Sequence, residues 1–183
     1  MLDKTKPAIV AICPRWLDQH KQMVVEAAGR GIHIYMEKPM CRTLAEADAM
    51  VAACESNQVK LAMAHQTRYS PKIQAVRDLI DGGKLGRVLE YRGRGKEDRR
   101  GGGEDLWVLG SHVMDLIRNF GEHPEWCFGH VTQEGRPIRK TDVQPGAEGI
   151  GPLGGGAVRA MFGMPDGSSG YFASLRGMGG AAT

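Results

Sequence analysis

The tripeptide Glu37-Lys38-Pro39 directly follows an apolar segment, residues 32–36, that is typical of a buried strand. Open α/β sheets bind their ligands at the edge formed by the carboxyl ends of the parallel strands. Lys38 would therefore present a cation at that edge. Pro39 lacks an amide donor and restricts the backbone of Lys38 to extended angles, so we expect the lysine to stay outside the next helix.

A second reactive group lies in the segment Gly110–Asp115, with the sequence GSHVMD, inside a region whose apolar spacing predicts a helix. His112 can act as an acid or a base near neutral pH. On a regular helix Val108, His112 and Asp115 share one face. Gly110 is costly inside a helix, and we interpret it as a place where another group approaches the backbone closely.

A lysine and a histidine acting on one oxygen suit the oxidation of an alcohol. An alcohol donates hydride well only while its proton leaves, so the reaction needs a base and a positive group beside the developing alkoxide. His112 can be that base and Lys38 that positive group. The structural alternative is a solvated Lys38 paired with Glu37, and a helical His112 held by Asp115.

Together the two motifs resemble the Gfo/Idh/MocA oxidoreductases, the glucose-fructose oxidoreductase and inositol dehydrogenase family. The resemblance implies a cofactor, NAD or NADP, and hydride transfer to or from a hydroxyl of a sugar, polyol or sugar derivative. It implies a cis Lys38-Pro39 bond, and Lys38, His112 and Asp115 as catalytic residues. The implied cofactor-binding residues are Cys13, Pro14, Arg15, Trp16, His20, Glu37, Lys38 and Pro39. His20 is displaced from the commoner P-x-x-x-H spacing of the family.

Substrate-binding candidates come from two further segments. Residues 65–69, HQTRY, resemble the family's G-H-x-x-R-[FY] stretch, in which Arg68 could hold a substrate or a carboxylate. Arg94, Lys96 and Asp105 precede the helix of His112 and could contact sugar hydroxyls, carboxylates or phosphates. Structural or solvated roles remain the alternative for these charged residues. No metal site is predicted.

One position departs from the family. Val108 stands where many members carry an aspartate that orients the histidine, so His112 would depend on Asp115, Asp105 or the substrate. This departure leaves open a noncatalytic sensor or scaffold that binds a dinucleotide. An NAD-assisted glycosidase is a further possibility within the family.

The elements around these residues predict an α/β fold. Three apolar segments, separated by helical patterns, predict parallel strands. This order predicts a partial Rossmann-type doubly wound sheet over residues 1–66. The segments are residues 8–13, 32–36 and 59–64. Thr43 and Glu46 form a capping-box signature for the second helix.

Residues 67–183 predict a partial α+β domain with a mostly antiparallel open sheet. Helices are expected over 71–81 and 107–120, strands over 87–94, 125–133, 157–162 and 170–175, and an irregular loop over 140–156. From the resemblance we expect this sheet to form a homo-oligomer.

No GxGxxG phosphate loop precedes the first predicted strand. The resemblance therefore predicts a fragment that lacks the family's amino-terminal unit, with an exposed apolar edge along residues 8–13. The residues that select NAD or NADP would lie in the missing part.

Composition limits the kinds of protein that this chain can be. The 24 Lys and Arg residues nearly balance the 21 Asp and Glu residues, and a net charge of +3 gives no support for nucleic-acid binding. No apolar run approaches the ~20 residues that a membrane helix needs, so we expect a cytoplasmic protein. The four cysteines show no CxxC pairs and are expected to be buried, reduced thiols.

Overall fold

A computed structural model describes residues 1–178. The chain divides into two compact units. The first contains Met1–Ala64 together with Pro145–Gly151, and the second contains His65–Gln144 and the residues from Pro152 onward. The segment Pro145–Gly151 thus packs with a unit from which it is far removed in sequence, which no local pattern predicts.

The first unit is built on a parallel sheet in the order β1-β2-β3. Its strands are β1 (Ile9–Ile12), β2 (His33–Met36) and β3 (Leu61–Met63). Met36 is paired with Ile12 on one side and with Met63 on the other, so the three strands end at a common edge. The predicted parallel arrangement is confirmed, and each strand is shorter than the apolar segment that predicted it.

Three helices accompany this sheet. They are α1 (Leu2–Thr5), α2 (His20–Ala28), which follows a 3-10 turn at Leu17–Gln19, and α3 (Leu44–Ser56). The Thr43 hydroxyl accepts a hydrogen bond from the Glu46 amide at 3.2 Å, as the capping signature predicts. The Glu46 carboxylate instead accepts from the Arg42 amide at 2.9 Å. Only one half of the capping box is therefore formed.

The core of the first unit lies among β1, β2, α2 and α3. Val24, Ala28, Met36 and Met50 are fully buried in it. Burial of this apolar surface is the main force that joins the helices to the sheet. By contrast, Ile9 on the edge strand β1 is 63% exposed, as expected for an uncovered apolar edge.

The second unit is built on a mixed sheet in the order β4-β10-β9-β5-β6. Its strands are β4 (Glu90–Arg94), β5 (Trp126–Gln133), β6 (Arg136–Pro137), β9 (Ala157–Gly163) and β10 (Ser169–Leu175), while β7 (Gln144–Pro145) and β8 (Pro152–Leu153) are short strands outside it. Strand β4 is parallel to β10, and the other pairs are antiparallel. The predicted, mostly antiparallel sheet is confirmed.

The described residues of the second unit, which end at residue 178, form three helices. They are α4 (Pro71–Asp81), α5 (Gly103–Asp105) and α6 (Ser111–Gly121), with 3-10 turns at Gln66–Tyr69 and Lys140–Asp142 and a π turn at Leu106–Gly110. The single helix expected over residues 107–120 is thus replaced by a π turn that leads into α6. None of the helices formed by residues 1–178 combines the length and hydrophobicity required to cross a bilayer.

The cysteines differ from the expected uniform burial. Cys13 and Cys127 are exposed, and Cys54 is buried. Burial raises the pKa of the Cys54 thiol, so this thiol reacts more slowly with alkylating reagents than an exposed one.

Candidate functional site

Lys38 lies directly beyond the carboxyl end of β2. The Glu37 amide still donates to the Ile12 carbonyl at 2.9 Å, and the Lys38 amide donates to the Glu37 carboxylate at 2.7 Å. The Lys38-Pro39 bond is cis, which confirms the conformation implied by the resemblance. The partly buried lysine therefore follows a strand end at the edge where such sheets bind ligands.

His20 lies beneath the loops that follow β1 and β2. Its side chain is 2% exposed. Nδ1 lies 3.0 Å from the Pro39 carbonyl and 3.3 Å from that of Met40, and Nε2 lies 3.1 Å from the Pro14 carbonyl. Both ring nitrogens are thus occupied by the protein. This burial corrects the expectation that His20 contacts a cofactor directly.

The loop after β1 carries the other predicted cofactor residues of the first unit. Cys13 is exposed, and Trp16 is 52% exposed. Arg15 donates from Nε to the Glu148 carboxylate at 2.9 Å, and the Leu17 amide donates to the Glu148 carbonyl at 2.8 Å. Glu148 thus attaches Pro145–Gly151 to this loop. Sequence reasoning missed this contact, because the glycines around Glu148 indicated only an irregular loop.

A groove of about 670 Å³ runs along β1 and α2, past Cys13 and Pro14. The polar side chains among its lining residues are Gln19, Gln22 and Glu26, and these residues include no lysine or arginine. The fit to a dinucleotide is therefore partial. A dinucleotide pyrophosphate would require donors beyond those lining this groove.

In the second unit the structure brings His65 and His112 together. The two ring centroids are 5.4 Å apart, and the ring planes are nearly perpendicular, at 88°. His65 was not chosen as a site residue, although it begins the HQTRY stretch. Its edge-to-face contact restricts the orientation that the His112 imidazole can adopt.

Asp115 is held by Arg68. The guanidinium reaches Asp115 Oδ1 at 2.8 Å and Oδ2 at 3.1 Å, a two-pronged contact between charged groups. The side chains of Asp115 and Arg68 are 13% and 33% exposed. The contact joins α6 to the turn at Gln66–Tyr69. Arg68 therefore holds a carboxylate of the protein itself, and its role in substrate binding stays a prediction.

The π turn changes the geometry expected before His112. A π turn has more residues per turn than an α-helix, so the shared face expected for Val108, His112 and Asp115 does not follow from regular spacing. A Cβ on Gly110 would lie 3.2 Å from the Leu106 side chain and 3.3 Å from the Phe172 ring. Close packing against Leu106 and Phe172 thus explains why a glycine occupies position 110, and the approach of a ligand is not required to explain it.

Asp105 is buried, with 1% exposure, which corrects its assignment to substrate binding. The Ser174 hydroxyl donates to its Oδ2 at 2.7 Å, and the Glu97 amide lies 3.4 Å from the same oxygen. Ser174 itself is fully buried and accepts from the Gly102 amide at 3.0 Å. Asp105 therefore holds the loop before the π turn to β10.

Arg94 and Lys96 remain at the surface of the second unit. Arg94 donates to both oxygens of Glu97, at 2.7 and 2.9 Å, and its side chain is 65% exposed. Glu97 is buried and has a left-handed backbone, with φ of 59°. The burial and pairing of this glutamate were not evident from sequence, where it is one charge in a mixed loop.

Comparison with known proteins agrees with this architecture. Residues 1–65 match the sequence profile of the Gfo/Idh/MocA oxidoreductase family, NAD-binding Rossmann fold. D-apiose dehydrogenase of Paraburkholderia graminis is 42% identical over 124 residues, which cover 62% of this chain and 31% of that protein. Levoglucosan dehydrogenase of Pseudarthrobacter phenanthrenivorans is 33% identical over 114 residues, covering 54% of this chain and 29% of the relative.

Among solved structures, levoglucosan dehydrogenase in complex with NADH and levoglucosan superimposes with a TM-score of 0.77 at 22% identity. The superposition covers 98% of this chain and 50% of that structure, so this chain spans about half of that protein and under a third of the two curated relatives. The shared fold extends over both units. The chain is therefore similar to the Gfo/Idh/MocA oxidoreductases, and its residues 1–65 match that family's NAD-binding Rossmann fold.

Proposed function

We propose that the protein is an NAD(P)-dependent oxidoreductase that transfers hydride between the cofactor and a hydroxyl of a sugar, polyol or sugar derivative. The supporting observation is the position of Lys38, directly after β2, in the segment that matches an NAD-binding Rossmann fold. The names of two relatives, D-apiose dehydrogenase and levoglucosan dehydrogenase, favour a carbohydrate-like substrate.

In this proposal Lys38 donates a hydrogen bond to the reacting hydroxyl oxygen and stabilises the negative charge that develops there. His112 takes the hydroxyl proton. A bound nicotinamide ring supplies the hydride acceptor. The loops Cys13–Trp16 and Glu37–Pro39 would hold the nicotinamide end of the cofactor. Oxidation would thus remove the proton of the hydroxyl oxygen through His112 and one hydride from the carbon that bears this oxygen.

The chain's own contacts support further proposed roles around His112. His65 restricts the imidazole through its edge-to-face contact, and the pairing of Arg68 with Asp115 fixes the first turns of α6. Asp115 is therefore proposed as a positioning residue, because both of its oxygens accept from Arg68. The roles of Arg94 and Lys96 in substrate binding remain proposals of the same kind.

The test is reduction of NAD⁺ or NADP⁺ by the full chain across sugars that include apiose and levoglucosan. Lys38→Ala should lower kcat by about 10²- to 10³-fold, because one stabilising donor is lost. The matched control is Lys60→Ala, which alters a lysine at the amino end of β3, away from the strand-end edge. Retained activity in Lys38→Ala, or equal losses in both variants, would contradict the proposed role of Lys38.

A noncatalytic dinucleotide sensor is the second candidate, and Val108 favours it because the resemblance places an aspartate there. That function predicts cofactor binding without turnover of any substrate in the panel. Introduction of the acid by Val108→Asp would then raise turnover from the background. Release of an aglycone without accumulation of NADH would instead indicate the NAD-assisted glycosidase.

A further inference from the structure

His20 stands out among the buried residues of the first unit. It begins α2, its side chain is 2% exposed, and its ring nitrogens contact three backbone carbonyls. One ring edge faces Pro39 and Met40, and the other faces Pro14. The histidine thus lies between two loops that leave adjacent strands of the same sheet.

The chemistry of these contacts constrains the protonation state of the ring. A carbonyl oxygen can only accept a hydrogen bond, and a neutral imidazole carries a proton on only one nitrogen. A neutral His20 would direct a lone pair at a carbonyl oxygen 3.0 or 3.1 Å away. That distance leaves no room for a bridging water. The imidazolium form donates from both nitrogens and satisfies both loops.

The two loops are the parts of this unit proposed to serve the reaction. Pro14 belongs to the loop after β1, and Pro39 directly follows Lys38. We propose that His20, protonated on both nitrogens, is a positioning residue that joins these loops and fixes the backbone that carries Lys38. The kinetic part of this inference rests on the proposed function, whereas the protonation state and the loop contacts do not.

The protonation state can be measured without turnover. In ¹⁵N-histidine-labelled full chain at neutral pH, both nitrogens of His20 should show the shift of a protonated ring nitrogen. His33 is the internal control in the same unit, because its Nδ1 accepts from the Lys60 amide at 3.0 Å and so carries no proton. A single unprotonated nitrogen in His20, matching the pattern of His33, would overturn the proposal.

The positioning role needs variants that separate it from stability. His20→Phe keeps a ring and removes both donors, while His20→Gln keeps one amide donor. Val24→Ala is the matched control, because Val24 is fully buried on the same helix and belongs to the core cluster. It lowers stability without removing a contact to either loop.

His20→Phe should lower kcat by about 10- to 100-fold, the scale of a small misplacement of a catalytic group. His20→Gln should recover part of this loss, and Val24→Ala should retain kcat despite a lower melting temperature. The methyl signal of Met40 should shift in His20→Phe and mark release of the loop. Equal kcat in His20→Phe and Val24→Ala, or an unshifted Met40 signal, would overturn the role.

Absence of turnover in the unmodified chain would count against the proposed function alone. The nitrogen shifts and the Met40 methyl signal would still decide the inference about His20. If His20→Phe fails to fold, kcat and the Met40 methyl signal are compared between His20→Gln and the unmodified chain. The nitrogen shifts of His20 are measured in the unmodified chain alone.

Discussion

Asp115 and Arg68 meet through two contacts, at 2.8 and 3.1 Å, that join α6 to the turn at Gln66–Tyr69. Arg68→Ala should destabilise the protein by about 2 kcal/mol, since a mostly buried carboxylate loses its charged donors. Arg77→Ala is the control, because its pair with Asp81 is exposed and is worth about 0.3 kcal/mol. Urea unfolding measures both, and equal shifts in midpoint would contradict the importance of the Arg68 contact.

The attachment of Pro145–Gly151 can be tested at its glycines. Gly149 has φ of 69°, and a Cβ there would lie 2.4 Å from Asp18 Oδ1. Gly151 also has a positive φ, of 105°, but a Cβ there would meet no atom within 4 Å. Backbone strain should destabilise both alanine variants by about 1 kcal/mol. Only Gly149→Ala also places a Cβ too close to the Asp18 carboxylate.

We therefore expect Gly149→Ala to speed proteolytic cleavage within residues 145–151 more than Gly151→Ala does. Limited proteolysis followed by mass spectrometry locates the cut. Similar cleavage rates in the two variants would show that the approach to Asp18 does not hold the segment.

The ion pair of Asp142 predicts a dependence of stability on pH. Hydrogen bonds from Arg136, at 2.7 Å each, and then from the Arg139 amide lower the pKa of Asp142 from 3.8 to about 2. A pKa that is lower in the folded state stabilises the protein above the unfolded value, and this stability is lost as pH falls through the folded value. Asp142→Asn should therefore lower the melting temperature at pH 7.

The difference between Asp142→Asn and the unmodified protein should shrink between about pH 4 and pH 2. Melting temperatures taken across that range make the comparison, and the values near pH 2 serve as the internal control. A difference that stays constant with pH would rule out the ion pair as its cause.

Burial of Asp105 predicts effects on folding and not on substrate affinity. Ser174→Ala removes the 2.7 Å hydroxyl donor and should cost about 1–3 kcal/mol, because the carboxylate stays buried with less compensation. Ser169→Ala, at the other end of β10, is the control. Urea unfolding and KM are the two measurements. A raised KM without loss of stability would restore Asp105 to a substrate-binding role.

The parts of the fold that follow from local pattern were predictable from sequence. The apolar segments around Ile34 and Met36 gave the parallel strands, Thr43 marked the start of α3, and the residues before and after Gly167 gave the β9–β10 hairpin. Each of these signals depends on residues that are close together in the chain. The same holds for Lys38, whose position follows from the strand before it.

Contacts between distant segments were not predictable. The partners of Asp105 and Arg15 are Ser174 and Glu148, which lie far along the chain, so sequence reasoning treated both residues as available to ligands. The burial of His20 was not evident for a different reason, since its partners are carbonyl groups, which carry no side-chain signal. Apolar spacing also gave no sign of the π turn, because it measures the average period of a helix and not a single wide turn.

The π turn at Leu106–Gly110 allows the segment before His112 to absorb one change in chain length. A π turn holds one residue more than an α-helical turn, so removing one residue would let it close into ordinary α-helix while α6 keeps its direction. Within a regular α-helix the same deletion would rotate every following side chain by about 100°. We therefore expect the orientation of His112 to tolerate a one-residue deletion in the π turn better than a deletion inside α6.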